Sequence, residues 1–294
     1  MNIIEITQYG GPEVARVQTV ESPIRRTGEA LVQVVASSIN PVDIKHMTPN
    51  TIQKIQQFPM VLGWDITGIV IETGPDSNFS IGDRVISFHP QGSWQQQISI
   101  SESQLVKLPN NIDFINGASI PLASLTAIQA LRRLQLKTTD TLLITGVAGA
   151  VGNYALQIAK ESGLNVSGLV RNSAQQDSSA PVSENIYTLN DELPNFDAVF
   201  DTAGILDRTD FLKLNGKLIT VSDDTIHPNV IKHTSFAEHN YVQSIPKDLE
   251  AIVQLVAEEK IQTRVSKVYG MNEIQEAIRQ ASQSGNNGKI ILSF

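Results

Sequence analysis

The sequence predicts an α/β protein of two domains, a compact β domain followed by a doubly wound parallel sheet. Two changes of pattern along the chain indicate this. Up to about residue 115, short apolar runs are separated by Gly, Pro, Asn and Asp turns, which is typical of strands. From about 117 to 257 the apolar spacing becomes helical and then alternates between strands and helices, which favours a parallel sheet covered by helices.

The β domain is predicted to contain strands at 17–20, 30–35, 67–71 and 84–88. The end of the chain again has short predicted elements, with a strand at 265–269, a helix at 271–282 and a last strand at 289–294. We expect this tail to return to the β domain and to make it discontinuous. The predicted boundaries are therefore 1–116 with 260–294, and 117–259 for the parallel-sheet domain.

The parallel-sheet domain is predicted to contain strands at 141–145, 166–170, 198–201 and 217–221, and helices at 122–134, 152–162 and 247–259. Residues 172–184 are polar enough to predict an exposed loop. Between 222 and 246 we expect one further strand and part of a dimer edge.

A glycine-rich turn follows the first predicted strand of the parallel sheet. The run T-L-L-I-T ends at Gly146, glycines recur at Gly149 and Gly152, and a helical pattern then begins. Gly146 suits a tight turn, a small residue at Gly149 or Ala150 lets a phosphate approach the backbone, and Gly152 lets the helix pack closely. Because helix N-termini attract phosphates, the stretch predicts a dinucleotide site. The usual spacing is G-x-G-x-x-G, so a methyltransferase or a purely structural turn stays an alternative.

The composition of the 294-residue chain argues against several classes of function. The net charge is −8 and the isoelectric point is near 5.1, which disfavours nucleic-acid and anionic-membrane partners. The absence of cysteine excludes disulfides, thiolate zinc sites and cysteine nucleophiles. Neither a signal peptide nor an apolar run of about 20 residues is evident, so we expect a cytoplasmic protein.

Several motifs occur together in one order and spacing. They are GPEV at 11–14, SSINPVDIK at 37–45, PMVLGWDITG at 59–68, IGDRV at 81–85, ASIPLASLTA at 118–127, the glycine turn at 146–152, DAVFDTAG at 197–204 and GKIIL at 288–292. With them, the chain resembles the zinc-independent quinone oxidoreductase (zeta-crystallin-like) branch of the medium-chain dehydrogenase/reductase superfamily. The resemblance runs from about residue 9 to the C-terminus.

The resemblance implies a GroES-like β domain joined to a Rossmann domain, and transfer of hydride from NADPH to a quinone or to an α,β-unsaturated carbonyl compound (an enone). Many members of the family are homodimers, so a homodimer is expected. Zinc alcohol dehydrogenases of the same superfamily place a Cys where this chain has Asn40, and a His-Glu pair where it has Trp64 and Asp65. We therefore expect no catalytic metal.

Without a metal, hydrogen bonds or a nearby cation must polarise the substrate oxygen. The candidates for catalytic residues are Asn40 as an amide donor, Asp43, and Lys45 as a cation or a desolvated acid. The aromatic side chains expected to line the substrate pocket are Trp64, Phe58 and Trp94. Many relatives carry a Tyr near Lys45 and this chain does not, so solvent is a candidate proton source.

The predicted nicotinamide is NADPH rather than NADH. After Val170, at the end of the second strand, the chain has Arg171 and Asn172 instead of the carboxylate that holds the ribose of NAD. Arg171 can pair with the 2′-phosphate of NADP. The predicted cofactor-binding residues are Thr126, Gly146, Ala148, Gly149, Ala150, Val151, Gly152, Arg171, Asn172, Ala203 and Ser222.

Rival functions are weaker. No Tyr is followed by Lys four residues later, as a short-chain dehydrogenase requires, and no Gly-x-Ser-x-Gly indicates a hydrolase. The alternative from another class is a non-catalytic NADPH-binding redox sensor, which would keep the glycine turn and Arg171 without turning over a substrate.

Overall fold

The protein is described by a computed structural model over residues 1–49, 54–89, 92–179, 182–183, 185–205 and 211–294. The strands are β1 (Asn2–Ile6), β2 (Ala15–Thr19), β3 (Glu29–Ile39), β4 (Met60–Val61), β5 (Asp65–Glu72), β6 (Arg84–Phe88), β7 (Gln97–Ser101), β8 (Val106–Lys107), β9 (Thr141–Thr145), β10 (Asn165–Val170), β11 (Ile186–Thr188), β12 (Phe196–Asp201), β13 (Leu212–Thr220), β14 (Thr234–His239), β15 (Val265–Gly270) and β16 (Lys289–Ser293). The helices are α1 (Pro41–His46), α2 (Phe114–Ala118), α3 (Pro121–Leu134), α4 (Ala150–Glu161), α5 (Ser173–Ser179), α6 (Pro228–His233), α7 (Pro246–Ala257) and α8 (Ile274–Ala281). None of the helices in these ranges has the length and apolar character that crossing a bilayer requires.

The chain divides into two compact units. Unit 1 comprises Met1–Leu122, Ser244–Glu259 and Thr263–Phe294, and unit 2 comprises Ala123–Gln243 with Lys260–Gln262. The divisions differ from the predicted boundaries chiefly in α7, which packs against β6 and β8 in unit 1 instead of joining the parallel sheet. An amphipathic pattern predicts that a helix covers a sheet, but it does not say which sheet.

Unit 1 is built from two sheets. The larger has the strand order β15-β16-β3-β5-β6-β8, with β7 also pairing with β3, and the smaller has the order β2-β1-β4. Only the β15–β16 pair is parallel among the described pairings of this unit. The order brings β16, from the end of the chain, beside β3, and β3 beside β5. The starts of β5 and β16 and the end of β3 carry the polar residues described below.

Unit 2 is a six-stranded parallel sheet with the order β11-β10-β9-β12-β13-β14. Numbered within the unit, this is 3-2-1-4-5-6, the order of the Rossmann fold. The order reverses between β9 and β12, and ligands of such sheets bind beyond the carboxyl ends of the strands at that point. Buried apolar side chains of these strands, including Leu143, Leu169 and Val199, form its core.

Two segments of unit 2 test the weaker predictions. The predicted loop at 172–184 is wrong over Ser173–Ser179, which form α5. The carboxamide oxygen of Asn172 accepts a hydrogen bond from the N–H of Gln175 at 3.1 Å, so a polar stretch begins a helix by capping it. The further strand expected between 222 and 246 is confirmed as β14.

Candidate functional site

The glycine turn joins β9 to α4 at the switch point of unit 2. Gly146 has a φ of +66°, in the left-handed region, and its carbonyl accepts a hydrogen bond from the N–H of Gly149 at 2.9 Å. Gly149 is the exposed N-cap of the 12-residue helix α4 and has no side chain to cap it. The first N–H groups of α4 therefore face outward without a side-chain acceptor, as a phosphate site requires.

Close packing explains why the turn needs glycine at its third position. A Cβ added to Gly152 would lie 2.5 Å from the carbonyl oxygen of Gly146 and 2.9 Å from the Cα of Val147. The helix therefore approaches the turn as closely as backbone allows. In the same turn, Ala148 is buried, and Ala150 and Val151 are half-buried. The residues present fit the pyrophosphate of a dinucleotide.

The neighbouring strand ends bring further predicted residues to the turn. The N–H of Gly146 donates to the carbonyl of Leu169 near the end of β10 at 2.8 Å, two residues before the exposed Arg171. On the other side, a Cβ on Gly146 would lie 3.4 Å from the Cβ of Ala203, which is exposed. The structure thus brings Arg171 and Ala203 to the two strands that flank β9.

Ser222 and Thr126 are placed less directly. A Cβ on Gly204 would lie 3.6 Å from the hydroxyl of Ser222, so Ser222 adjoins the loop that carries Ala203. The carbonyl of Thr126, in α3, accepts a hydrogen bond from the amide of Asn240 at 3.1 Å, and its side chain is buried. Thr126 belongs to unit 2, and its role in binding the cofactor stays a prediction.

In unit 1, a buried lysine organises the predicted site. Lys289, the first residue of β16, has a side chain only 5% exposed. Its ammonium donates to the hydroxyl of Ser38 at 2.9 Å and to the carboxylate of Asp65 at 3.0 Å, and it also contacts the amide oxygen of Asn40. Ser38 lies near the end of β3, which is the central strand between β16 and β5. The sheet order therefore brings these three positions together.

Asn40 is fully engaged in this network. Its amide nitrogen donates to Asp65 at 3.0 Å and to Ser38 at 3.2 Å, while its oxygen accepts from Lys289. The other carboxylate oxygen of Asp65 accepts the N–H of Leu122 at 2.7 Å. Because an amide nitrogen has two donors, Asn40 has none left for a substrate oxygen in this arrangement. Its position suits a positioning role better than the predicted donor role.

Asp43 is enclosed beneath the same network. One carboxylate oxygen accepts the N–H of Asn40 at 2.8 Å and the other accepts the N–H of Gly63 at 2.9 Å. Desolvation by burial raises the pKa of Asp43 to about 7, and the nearby Asp65 adds to it, while the two backbone N–H groups and Lys289 oppose it. The carboxyl therefore changes its charge near neutral pH without contacting solvent.

Lys45 is the exposed member of the three catalytic candidates. It lies in the last turn of α1, whereas Asn40 and Asp43 are buried. A catalytic role of Lys45 stays a prediction, and the structure adds no support to it.

The three aromatic candidates lie in different surroundings. The ring of Trp64 stacks on Phe88 at 5.6 Å, and its buried indole N–H has no hydrogen-bond partner among the described residues. Trp94 is completely buried and donates to the carbonyl of Ser38 at 3.2 Å, which suits packing rather than substrate contact. Phe58 is half-buried with its ring 5.0 Å from that of Tyr9.

Comparisons with known proteins agree on the family. The model of the alcohol dehydrogenase GroES-like domain matches residues 26–110, and that of zinc-binding dehydrogenases matches 172–292. The quinone oxidoreductase of Coxiella burnetii has a solved structure with a TM-score of 0.87 and 28% identity, covering 100% of this chain and 99% of that one. This chain belongs to the medium-chain dehydrogenase/reductase superfamily. It is accordingly an oxidoreductase, and the superfamily binds a nicotinamide cofactor.

Two relatives within the superfamily have informative names. A chloroplast envelope quinone oxidoreductase homolog of Arabidopsis thaliana is 28% identical over 99% of this chain and 98% of its own length. An NADPH-dependent alkenal/one oxidoreductase from the chloroplast of the same plant is 28% identical over 76% of this chain. The matched region spans 62% of that second protein, which is less than two thirds of its length.

Zinc-binding members of the superfamily share the fold, but the residues present here do not fit a zinc site. Across the described ranges, no group of three or more His, Asp or Glu side chains could hold a metal ion. Asn40 and Asp65, at positions where zinc dehydrogenases have ligands, both contact the ammonium of Lys289. A divalent cation there would have to displace an ammonium that already has three acceptors.

Sequence reasoning did not single out Lys289, Ser38 or Asp201. Lys289 was visible only as part of the motif GKIIL, although a lysine at the start of an otherwise apolar strand is unusual. Asp201, whose buried carboxylate accepts the hydroxyls of Thr145 and Thr220, has a similar signal because it ends a buried strand. In both cases the signal was a charged residue on a buried strand. A buried charge needs a hydrogen-bond or ion-pair partner, but the sequence alone does not show which residue that partner is.

Proposed function

We propose that this oxidoreductase transfers hydride from NADPH to a quinone or to an enone without a catalytic metal. The observation that carries the proposal is the glycine turn at the switch point of unit 2, with Arg171 and no carboxylate at the end of the neighbouring strand. The names of the relatives support the acceptor classes. NADPH, when bound, supplies the hydride.

The chain's own residues divide the work between the units. In unit 2, the N–H groups in the first turn of α4 bind the pyrophosphate, and Arg171 pairs with the 2′-phosphate while Asn172 caps α5 beside it. In unit 1, Lys289 fixes Asn40 and neutralises Asp65, so that the site needs no metal to balance the buried carboxylate. Trp64 and Phe58 offer apolar surface to a planar acceptor, and solvent supplies the proton.

Arg171→Ala tests the choice of nicotinamide. Loss of a charge-assisted pair of about 1.5–3 kcal/mol should raise the KM for NADPH by about 10- to 100-fold and leave that for NADH nearly unchanged. Arg279→Ala removes an exposed arginine in unit 1 that pairs with Glu276, and it serves as the control. Equal changes in both KM values would remove Arg171 from the 2′-phosphate site.

The decisive assay follows NADPH and NADH oxidation against ortho-quinones, para-quinones and short enones, with and without EDTA. Turnover with NADPH preferred and unaffected by EDTA is expected. Inactivation by EDTA that zinc reverses would overturn the metal-free proposal. NADPH binding without turnover would favour the redox-sensor alternative, which is supported by the full engagement of the Asn40 amide. A homodimer and a cytoplasmic location stay predictions.

A further inference from the structure

Three neighbouring strands of unit 2 end on side chains that bond to one another. Thr145 ends β9, Asp201 ends β12 and Thr220 ends β13. The carboxylate of Asp201 is 1% exposed and accepts the hydroxyl of Thr145 at 2.7 Å and that of Thr220 at 3.2 Å. A buried carboxylate therefore ties together the strand ends on the β12 side of the switch point.

The same carboxylate shapes the loop that follows β12. It accepts the N–H groups of Ala203 at 3.2 Å, Gly204 at 3.1 Å and Ile205 at 3.2 and 3.3 Å. All of its named partners are neutral donors. Hydrogen bonds to a buried carboxylate stabilise the structure more than neutral pairs do, so the loop is held firmly at the strand end.

Thr145 connects this loop to the glycine turn through hydrogen bonds. Its hydroxyl oxygen accepts the N–H groups of Thr202 at 2.9 Å and Ala203 at 3.1 Å, and its carbonyl accepts the hydroxyl of Thr202 at 2.6 Å. The next residue is Gly146, and a Cβ there would lie 2.8 Å from the hydroxyl of Thr202. The position of the turn thus depends on the loop against which it packs.

We propose that Thr145 and Asp201 are positioning residues that set the shape of the glycine turn and thereby the affinity for NADPH. The inference rests on the proposed function. Neither residue contacts the cofactor under this proposal. They act because backbone donors bind a phosphate well only when they are held to within a fraction of an ångström.

The test compares Thr145→Val, which removes the hydroxyl at nearly constant shape, with Thr145→Ser, which keeps it. The dissociation constant of NADPH is measured by calorimetry on the full chain, with no turnover required. Thr145→Val should raise it about 10-fold or more, and Thr145→Ser by no more than about 3-fold. If Thr145→Val does not fold, Thr202→Val removes one of the bonds and should raise the constant several-fold.

The chain offers a matched control at the other end of the same strands. Thr141 begins β9, and its hydroxyl donates to the carboxylate of Asp197 in β12 at 2.8 Å. Thr141→Val should lower the stability but leave the dissociation constant of NADPH unchanged. Equal effects of Thr141→Val and Thr145→Val on that constant, or no effect of Thr145→Val, would overturn the inference while the proposed function stands. A wild-type protein that binds neither NADPH nor NADH would overturn both.

Discussion

Unit 1 and unit 2 each bury one carboxylate at a strand end, and they satisfy it in opposite ways. Asp65 is paired with an ammonium, that of Lys289, with an amide and a hydroxyl around it. Asp201 is surrounded by hydroxyls and backbone N–H groups. A network that depends on one charge should fail when that charge is removed, whereas a network of many neutral donors should weaken by degrees.

The largest expected effect is that of Lys289→Met. It leaves the Asp65 carboxylate buried without its cation, which should lower the free energy of unfolding by about 3–5 kcal/mol. Thr220→Val, which removes one neutral donor from the Asp201 carboxylate, should cost less, about 1.5–3 kcal/mol. Denaturant unfolding, followed by a probe in each unit, measures both.

The double variant Lys289→Met with Asp65→Asn tests the origin of this effect. Removing both charges together should recover part of the loss, because the penalty comes from an unpaired buried charge. If Lys289→Met costs no more than Thr220→Val, the contrast between the two carboxylates is broken, and Lys289 is an ordinary packing residue.

The same contrast explains what the sequence could predict. The glycine turn, α4 and the strand before it are adjacent in the chain, so local spacing was enough to predict the two elements, which the structure contains, and a candidate site between them. The contacts of Lys289 with Ser38, Asn40 and Asp65 join residues separated by 251, 249 and 224 positions, and only the order of the strands brings them together. Asn40 was therefore predicted to lie near the site, but its hydrogen bond with the ammonium of Lys289 was not predicted.

A smaller effect concerns pH. Since burial raises the pKa of Asp43 to about 7, its stabilising contribution is complete below its unfolded pKa and is lost as pH rises to about 7. Asp43 should therefore lower the stability by about 2–3 kcal/mol between about pH 5 and about pH 8. The charged groups that act on Asp43 are the carboxylate of Asp65, which raises its pKa, and the ammonium of Lys289, which lowers it.

The variant Asp43→Asn separates the pH-dependent contribution of Asp43 to stability from that of every other titrating group. The free energy of unfolding of the wild type, minus that of the variant, should fall as pH rises across this window. At any single pH, the difference in free energy of unfolding between the two proteins also includes the effect of the changed hydrogen bonds to Asn40 and Gly63. Only the change of this difference with pH therefore tests the titration of Asp43. A difference that stays constant with pH would show that the native carboxyl is already ionised at the lower pH.

The smallest effect separates the two tryptophans of unit 1, which are the only ones in the sequence. Phenylalanine at Trp94 removes a hydrogen bond to the carbonyl of Ser38, whereas phenylalanine at Trp64 removes a buried donor that has no described partner. Trp94→Phe should therefore be less stable than Trp64→Phe by about 1 kcal/mol in urea unfolding. Because Ser38 also contacts Lys289, the loss at Trp94 should shrink when Lys289→Met is already present. A loss that is independent of Lys289 would mean that Trp94 contributes packing alone, and that the charged network of unit 1 ends at Ser38.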